Sequence, residues 1–385
     1  MNVRPTEAVI DLSAVVSNWR LASELAGKPA IAVVKANAYG HGAVPVARAL
    51  AAAGCGFFGV ALVEEGVQLR EAGLRAPILV FGGAYAGGYD LLVRHQLTPF
   101  VFRDEHLADL AAAARAAGRA VAAHVKLDTG MGRIGVVPAG LPRFLELARR
   151  HPEVRLEGLC THFASADLEP RTVTHAQVEA FDAAARTMLA GSFPLRFRHL
   201  ANSAGTIEYP DARQDLARPG IMLYGYLPFA PDAPPPTPAA AEVAAKLRPV
   251  LSWRSAITHL KTVPAGTRIS YGGFWTAERE SRIATVPGGY ADGYPRRLSG
   301  RPGFGRADAL VGGRRCAVAG TVCMDMIMLD VTAVPEAQVG DEVVLLGAQG
   351  AERIGADELA TKAGTIPYEV LCGVGARVPR RYVGG

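Results

Sequence analysis

The sequence predicts a (β/α)8 TIM barrel followed by a mainly β C-terminal domain. Three observations carry that prediction. From Pro29 to Gly225 short apolar runs alternate with longer amphipathic stretches, the rhythm of repeated strand and helix units. A proline-rich stretch, PFAPDAPPPTP at Pro228 to Pro238, continues neither a helix nor a central strand and reads as a stiff linker. Beyond it come β-branched runs broken by glycine turns, among them LKTVPAGTRISYGG, SRIATVPGGYADG and CAVAGTVCMDMIMLDV.

Eight strands are expected before the linker: Ala30 to Lys35, Phe57 to Ala61, Pro77 to Phe81, Leu97 to Val101, Val121 to Asp128, Leu156 to Thr161, Phe197 to Ala201 and Ala217 to Gly220. Between them lie Ala- and Leu-rich stretches such as Glu105 to Ala117, whose composition favours helix. Eight such units in about two hundred residues fit a barrel with its active site at the C-terminal ends of the strands. A doubly wound open sheet is the alternative. It is disfavoured because the polar residues of interest follow nearly half of the strands instead of gathering at one crossover. The expected domains are 11–240, the barrel, and 241–385, the β-rich unit, with residues 1–10 a candidate addition to the second. One helix, Ala356 to Ala363, is expected within that second unit.

Composition narrows the function. Of 385 residues, 50% are hydrophobic and 20% charged, a normal globular balance that predicts folding throughout. The net charge of +5 is spread along the chain; six of the 41 basic residues are Lys and the other 35 Arg, and pairs such as Arg149-Arg150 and Arg296-Arg297 stand between apolar stretches. No nucleic-acid groove is expected from such a pattern. Five cysteines, an odd number with no C-x-x-C pair and no His at zinc-ligand spacing, point to a reducing compartment and no metal cluster. Met1 to Asp11 lacks the apolar centre of a signal peptide, and no run reaches the roughly 18 apolar residues of a membrane span. A cytoplasmic protein without membrane contact is expected.

Several polar residues stand where chemistry would be placed. Lys35 closes the first strand in IAVVKANAYGHG, and a lysine amine becomes a useful nucleophile toward an aldehyde when burial lowers its pKa. Alone, it reads more readily as an ordinary lysine at a strand end. Arg133, in KLDTGMGRIG, carries a fork of donors that suits a carboxylate. Taken in isolation it is a surface arginine in a glycine-rich loop. His162, in CTHFA, reads by itself as a satisfied core histidine. Ser203, in ANSAGT, opens a short helix after the seventh strand, a natural anion site and equally a plain cap.

The string IAVVKANAYGHG closely resembles, end to end, the cofactor-attachment motif of the alanine racemase family, and further segments in the family's order extend the resemblance along almost the whole chain. The resemblance implies that Lys35 carries pyridoxal 5'-phosphate as a Schiff base, with Tyr39 against the cofactor and reaching its phosphate. It implies that Arg133 approaches the cofactor's phenolic oxygen and the substrate carboxylate. Lys126, seven residues earlier, matches a lysine that some members carbamylate; the unmodified alternative, a buried ion-pair lysine, stays open. His162 and Arg218, the latter in LARPGIMLYG, look like the pair that supports the pyridine nitrogen. Ser203, Gly220, Ile221 and Tyr368 match positions around the phosphate.

The same resemblance places Tyr271, in RISYGG, opposite Lys35 across the substrate Cα. Racemisation removes a proton from one face and returns it on the other, so Lys35 would serve the D-enantiomer and Tyr271 the L-enantiomer. A tyrosine used in this way needs positive charge or hydrogen bonding nearby, since a free phenol titrates near pH 10. Met324, in TVCMDMIML, matches a position whose backbone N–H meets the substrate carboxylate, with Asp325 orienting, and Tyr290 lines the substrate entrance. In the family Tyr271, Tyr290 and Met324 come from the partner subunit, which implies a homodimer with shared active sites. The implied activity is interconversion of L- and D-alanine, with D-alanine supplied for peptidoglycan.

Arg218 separates this reading from its nearest rival. An arginine stays protonated, so it donates to the ring nitrogen and leaves the ring a weaker electron sink, which favours proton exchange over transamination or decarboxylation. Decarboxylases of the same barrel-plus-β arrangement place a carboxylate there. Single-domain cofactor carriers lack the unit that holds Tyr271. GGAYAGG at Gly82 to Gly88 fits a dinucleotide loop poorly. Gly273 with Phe274, Gly288-Gly289 and the long linker depart from the family pattern and bear on substrate breadth more than on reaction type.

Overall fold

The computed structural model describes residues 3–85 and 87–385; of the segments Met1 to Asp11 and Gly82 to Gly88, Met1, Asn2 and Ala86 lie outside the described residues. The chain opens with β1 (Glu7–Asp11) and the helix Leu12–Ala26. That helix begins where the Asp11 carboxylate accepts the Ala14 N–H, and it ends at Gly27 in the left-handed conformation. Its buried positions include Ala14, Val15, Trp19 and Ala22, one apolar stripe turned to the core.

The apolar runs then form parallel strands in sequence order: β2 (Ala32–Val33), β3 (Phe58–Val60), β4 (Ile78–Val80), β5 (Thr98–Val101), β6 (Val121–Lys126), β7 (Val154–Cys160) and β8 (Phe197–His199). Each lies within or against an expected segment, and helices such as Asp104–Ala116 separate them. The eighth expected strand, Ala217 to Gly220, is the one that departs. The Ile31 N–H donates to the Ala217 carbonyl and the Arg218 N–H to the Ala201 carbonyl, so the segment bridges both edges of the curled sheet. It builds no ladder because Pro219 has no N–H and the Gly220 N–H is taken by the Ser203 hydroxyl. The barrel therefore has seven laddered strands and an extended eighth segment.

The second unit is mainly β, as expected. Its large sheet runs in the order Arg314–Ala317, Asp308–Val311, Glu342–Gln349, β9 (Leu251–Ala256), β1, Arg380–Val383, so the N-terminal strand sits between β9 and the C-terminal strand. A three-stranded sheet of His259–Val263, Ser281–Pro287 and Met326–Asp330 lies beside it, as does a small hairpin, Arg268–Ile269 with Trp275–Thr276. The expected helix Ala356–Ala363 is present, and a second, Pro367–Gly373, follows it unforeseen. Between the units the helix Pro238–Lys246 starts at the last proline of the linker, where a missing N–H costs nothing. Among the described residues no helix is long and apolar enough to cross a membrane.

Candidate active site

Lys35 follows β2 at the C-terminal mouth of the barrel, and the backbone after it is unusual. Ala36, Asn37, Ala38 and Tyr39 all have φ of 52–54°. An L-residue there costs roughly 1–2 kcal/mol, so four in succession need external support. The Ala36 N–H donates to Glu65 Oε1 at 2.6 Å, and the Asn37 side-chain oxygen accepts the Ala43 N–H at 2.8 Å. Gly40 closes the turn, and a Cβ there would stand 2.3 Å from the Leu371 carbonyl oxygen. The turn throws the Tyr39 ring onto Tyr224 and Tyr368, with centroids 4.7 and 5.9 Å away.

A cavity of about 400 Å³ opens beside Lys35. Nine of the expected site residues line it: Lys35, Tyr39, Lys126, Arg133, His162, Ser203, Arg218, Gly220 and Tyr368. At one end the Ser203 hydroxyl accepts the Gly220 N–H at 2.9 Å. A Cβ on Gly220 would come within 2.5 Å of the Tyr39 hydroxyl, so only glycine lets the phenol approach this backbone. Burial holds the Tyr39 and Tyr368 phenols protonated, hence able to donate. Ile221 begins the short turn Ile221–Tyr224; its side chain is buried and does not line the cavity, which leaves its backbone as the group to consider.

Arg218 lines the same cavity, and both of its terminal nitrogens are engaged. Nη1 meets the Nδ1 and the carbonyl of His199 at 2.8 and 2.6 Å, and Nη2 donates to the carbonyls of Thr161 and Leu200 at 2.6 and 3.0 Å. All four terminal hydrogens are thereby used, which leaves the Nε–H as the remaining donor. Since guanidinium cannot accept, His199 Nδ1 must, and its Nε2–H then donates to His124 Nδ1 at 2.8 Å. Both imidazoles are buried and neutral: burial, then the charge of Arg218, pushes the His124 pKa down to about 3 and that of His199 well below its ordinary value. His162 shares the cavity wall, and its pKa is lowered by burial and then by Arg218, yet the imidazole bonded to Arg218 is that of His199.

Basic groups crowd this cavity without matching acids. Among the described residues Lys35, Lys126, Arg133 and Arg218 form no ion pair within 4.0 Å. Burial, followed by the nearby Arg133, lowers the Lys35 pKa. Lys126 is lowered first by burial as well, and its Nζ donates to the Leu127 carbonyl at 2.6 Å. Such a cavity attracts anions and holds its lysines toward the uncharged, nucleophilic form.

Tyr271, Tyr290 and Met324 are elsewhere. They are 72%, 41% and 52% exposed and none lines the Lys35 cavity. They form a group of their own: the Thr321 hydroxyl donates to the Tyr271 carbonyl at 2.8 Å, and the Tyr290 N–H donates to the Cys323 carbonyl at 3.0 Å. Tyr271 occupies the turn of the small hairpin, where Ser270, Gly272 and Gly273 all have positive φ. The expected site residues thus divide into a cavity set and an exposed set.

Two family models cover most of the chain: alanine racemase, N-terminal domain, over residues 10–228, and alanine racemase, C-terminal domain, over residues 250–382. The chain belongs to the alanine racemase family. It is 44% identical to the alanine racemase of Halothermothrix orenii over 387 aligned residues, covering 98% of this chain and 97% of that one. It is 45% identical to that of Symbiobacterium thermophilum, covering 99% and 98%. The crystal structure of the alanine racemase from D-cycloserine-producing Streptomyces lavendulae superposes with a TM-score of 0.91 at 37% identity, over 100% of this chain and 98% of that one. The biosynthetic alanine racemase of Pseudomonas aeruginosa gives 0.84 at 41%, over 99% and 100%.

Four groups near this racemase-family site escaped sequence reasoning. His124 and His199 lie beneath Arg218; His124 is two residues before Lys126 on one strand, so period-two alternation would have turned it inward with the lysine. Cys372 lines the cavity one helical turn after Tyr368, an i, i+4 relation hidden because the helix was not expected. Glu65, the support of the left-handed turn, carried no motif signal.

Proposed function

We propose that this chain is a pyridoxal-phosphate-dependent alanine racemase, an isomerase that interconverts L- and D-alanine through Lys35 and Tyr271 in a shared-site homodimer. The observation that carries the proposal is the cavity in which Lys35, its pKa lowered, stands with buried Lys126 and Arg218 and exposed Arg133, none of them ion-paired with an acid among the described residues. The residues fit the cofactor's chemistry. Tyr39, Tyr368, Ser203 and Gly220 line the cavity together and would hold the phosphate, the close phenol filling the space a Cβ would take and the Ser203 hydroxyl accepting the Gly220 N–H; Ile221 would add its backbone N–H. Arg218 keeps one donor, Nε–H, for the ring nitrogen.

When bound, pyridoxal phosphate supplies an electron-withdrawing ring that acidifies the α-proton of an attached amino acid. Lys35 holds the cofactor and, once its amine is free, takes or returns that proton on one face of the substrate. The partner subunit's Tyr271 does the same on the other face. Arg133 binds the substrate carboxylate by its fork of donors, assisted by the Met324 backbone N–H, and Tyr290 borders the entrance. Arg218 donates without giving up its proton, which keeps the chemistry at proton exchange. Lys126 is the carbamylation site in this reading: its uncharged amine is the form that adds carbon dioxide, and the resulting anion would offset Arg133. The five cysteines, free in this structure, accord with a cytoplasmic location. The likeness to the biosynthetic Pseudomonas aeruginosa protein supports a biosynthetic role, which the proposal takes as supply of D-alanine for peptidoglycan.

Subunit mixing tests the shared site. Lys35→Ala and Tyr271→Ala chains, each inactive alone, are co-refolded or co-expressed. Hybrid dimers then hold one intact site and one doubly altered site, so random mixing restores about a quarter of wild-type activity. No restoration in demonstrated hybrids would place Tyr271 and Lys35 in one chain's site and overturn the dimeric mechanism.

A further inference from the structure

We propose that the buried carboxylate of Asp292, gripped by Arg4 of the N-terminal arm and approached by Arg377, is a positioning latch for the two loops that present Tyr290 and Met324. The proposal rests on the reading above that places those two residues at the substrate. Asp292 closes the short turn Tyr290–Asp292, and its side chain has no solvent exposure. Arg4 reaches it across 288 residues of sequence with both terminal nitrogens, at 3.0 and 2.8 Å, and the Gly289 N–H donates to the same carboxylate at 3.1 Å. A buried carboxylate is tolerable only with such partners, and a two-pronged grip fixes its orientation as well as its charge.

The grip extends to the second loop. Arg377 Nε lies 3.6 Å from Asp292, and its Nη2 donates to Asp325 at 2.8 Å, next to Met324. Arg4 also donates to the Arg377 carbonyl at 3.3 Å. Backbone bonds zip the loops together: Tyr290 N–H to the Cys323 carbonyl, Ala291 N–H to that of Met324 and Gly288 N–H to that of Asp325, at 3.0, 3.0 and 2.9 Å. The Gly375 N–H reaches the Asp292 carbonyl at 2.8 Å, which ties in the segment after the Tyr368 helix. Neither Arg4 nor Asp292 lines the cavity, so both act through the residues they hold. An arm that precedes the first strand thereby sets the distance between an entrance tyrosine and a carboxylate-binding amide.

The test uses the loaded, full-length enzyme with Arg4→Ala, Arg4→Lys and Asp292→Asn. Each is examined for KM and kcat in both directions and for hydrogen–deuterium exchange. Arg4→Ala is expected to raise KM roughly ten- to a hundredfold, the effect of a displacement of about 1 Å, while kcat stays within about twofold. Arg4→Lys, with a point charge in place of a fork, recovers part of the loss. Exchange quickens at 288–293 and 323–325 and is unchanged in the barrel strands. Unaltered KM and unaltered loop exchange in Arg4→Ala would overturn the latch, as would loss of protection throughout the chain, which would mark a folding role. Should Asp292→Asn fail to fold, Arg4→Ala on the partly exposed arm still decides the matter. Tyr290→Ala is measured in parallel: raised KM there with normal Arg4→Ala sinks the latch alone, whereas unmoved KM there sinks the placement of Tyr290 and the latch's effect on substrate with it.

Discussion

Replacing Arg218 by lysine preserves a positive charge and changes the count of donors, so it isolates what the guanidinium shape contributes. Arg218 serves four acceptors inside the barrel, His199 Nδ1 and the carbonyls of His199, Thr161 and Leu200, and keeps its Nε–H for the cavity. Lysine has three N–H groups for these five tasks. If all three stay inside, one buried acceptor is left without its donor and the cavity receives none; if one serves the cavity, two acceptors lose theirs. Each such loss costs about 1–3 kcal/mol, so Arg218→Lys should lower the free energy of unfolding by about 1–6 kcal/mol. In the first arrangement, withdrawal of the one cavity donor should also lower kcat by about 10²-fold or more, the scale for removing a preorganised donor from a dry site. Urea unfolding followed by circular dichroism reads the first effect; racemisation rates corrected for cofactor content read the second. A variant with the wild-type unfolding midpoint and wild-type kcat would refute the donor-count argument, because charge alone would then suffice.

Further outcomes follow from the same geometry. Lys35→Ala should abolish the visible absorption of the holoenzyme and all racemisation; a colourless wild type with full activity would remove the cofactor from the reading. Tyr271→Phe should keep the absorption band yet lose about 10²–10⁴-fold in α-proton exchange starting from L-alanine, while proton loss from D-alanine at Lys35 persists; equal exchange from both enantiomers would displace Tyr271 from its role. Stability should fall in mild acid. His41 and His124 are buried with pKa values pushed down to about 4 and about 3, chiefly by burial. From about pH 6.5 down to those values the unfolded chain takes up protons that the folded one refuses, which costs about 1.4 kcal/mol per pH unit for each histidine. A urea midpoint that holds steady between pH 6.5 and 5 would contradict this.

The parts of the fold legible in the sequence were those set by local patterning. Apolar runs such as Val121 to Lys126 announce a buried parallel strand because both faces are covered. The eighth segment misled because Ala217 to Gly220 falls where the strand and helix rhythm calls for a strand, while Pro219 denies it a ladder. The Pro367–Gly373 helix hid in IPYEVLCG, too short and too apolar to show a helical stripe, although proline at its first position was a usable sign. At the site, motifs marked the residues to which the proposed function gives cofactor or substrate. They were silent on residues that hold those in place, such as Glu65, His199 and Asp292, since a side chain that bonds backbone or another side chain across the fold leaves no local spacing to read.

The division of the site residues into two sets has a chemical reason. A racemase needs proton-transferring groups on both faces of one carbon, yet a barrel mouth offers side chains from one side only, because every strand end points the same way. Lys35, Lys126, Arg133, Arg218 and the anion end all rise from that floor. In the proposed mechanism the opposite face comes from another body, and the mounting of Tyr271 suits such delivery. It stands in a hairpin turn, it is 72% exposed, and its carbonyl is pinned by Thr321, which ties the hairpin to the loop that carries Met324. In the proposed dimer this exposed phenol has a use. On that reading it is half of an active site, completed by the cavity of a second copy. The rigidity of its mount then matters as much as its phenol, since a group supplied across an interface is only as accurate as the element that carries it.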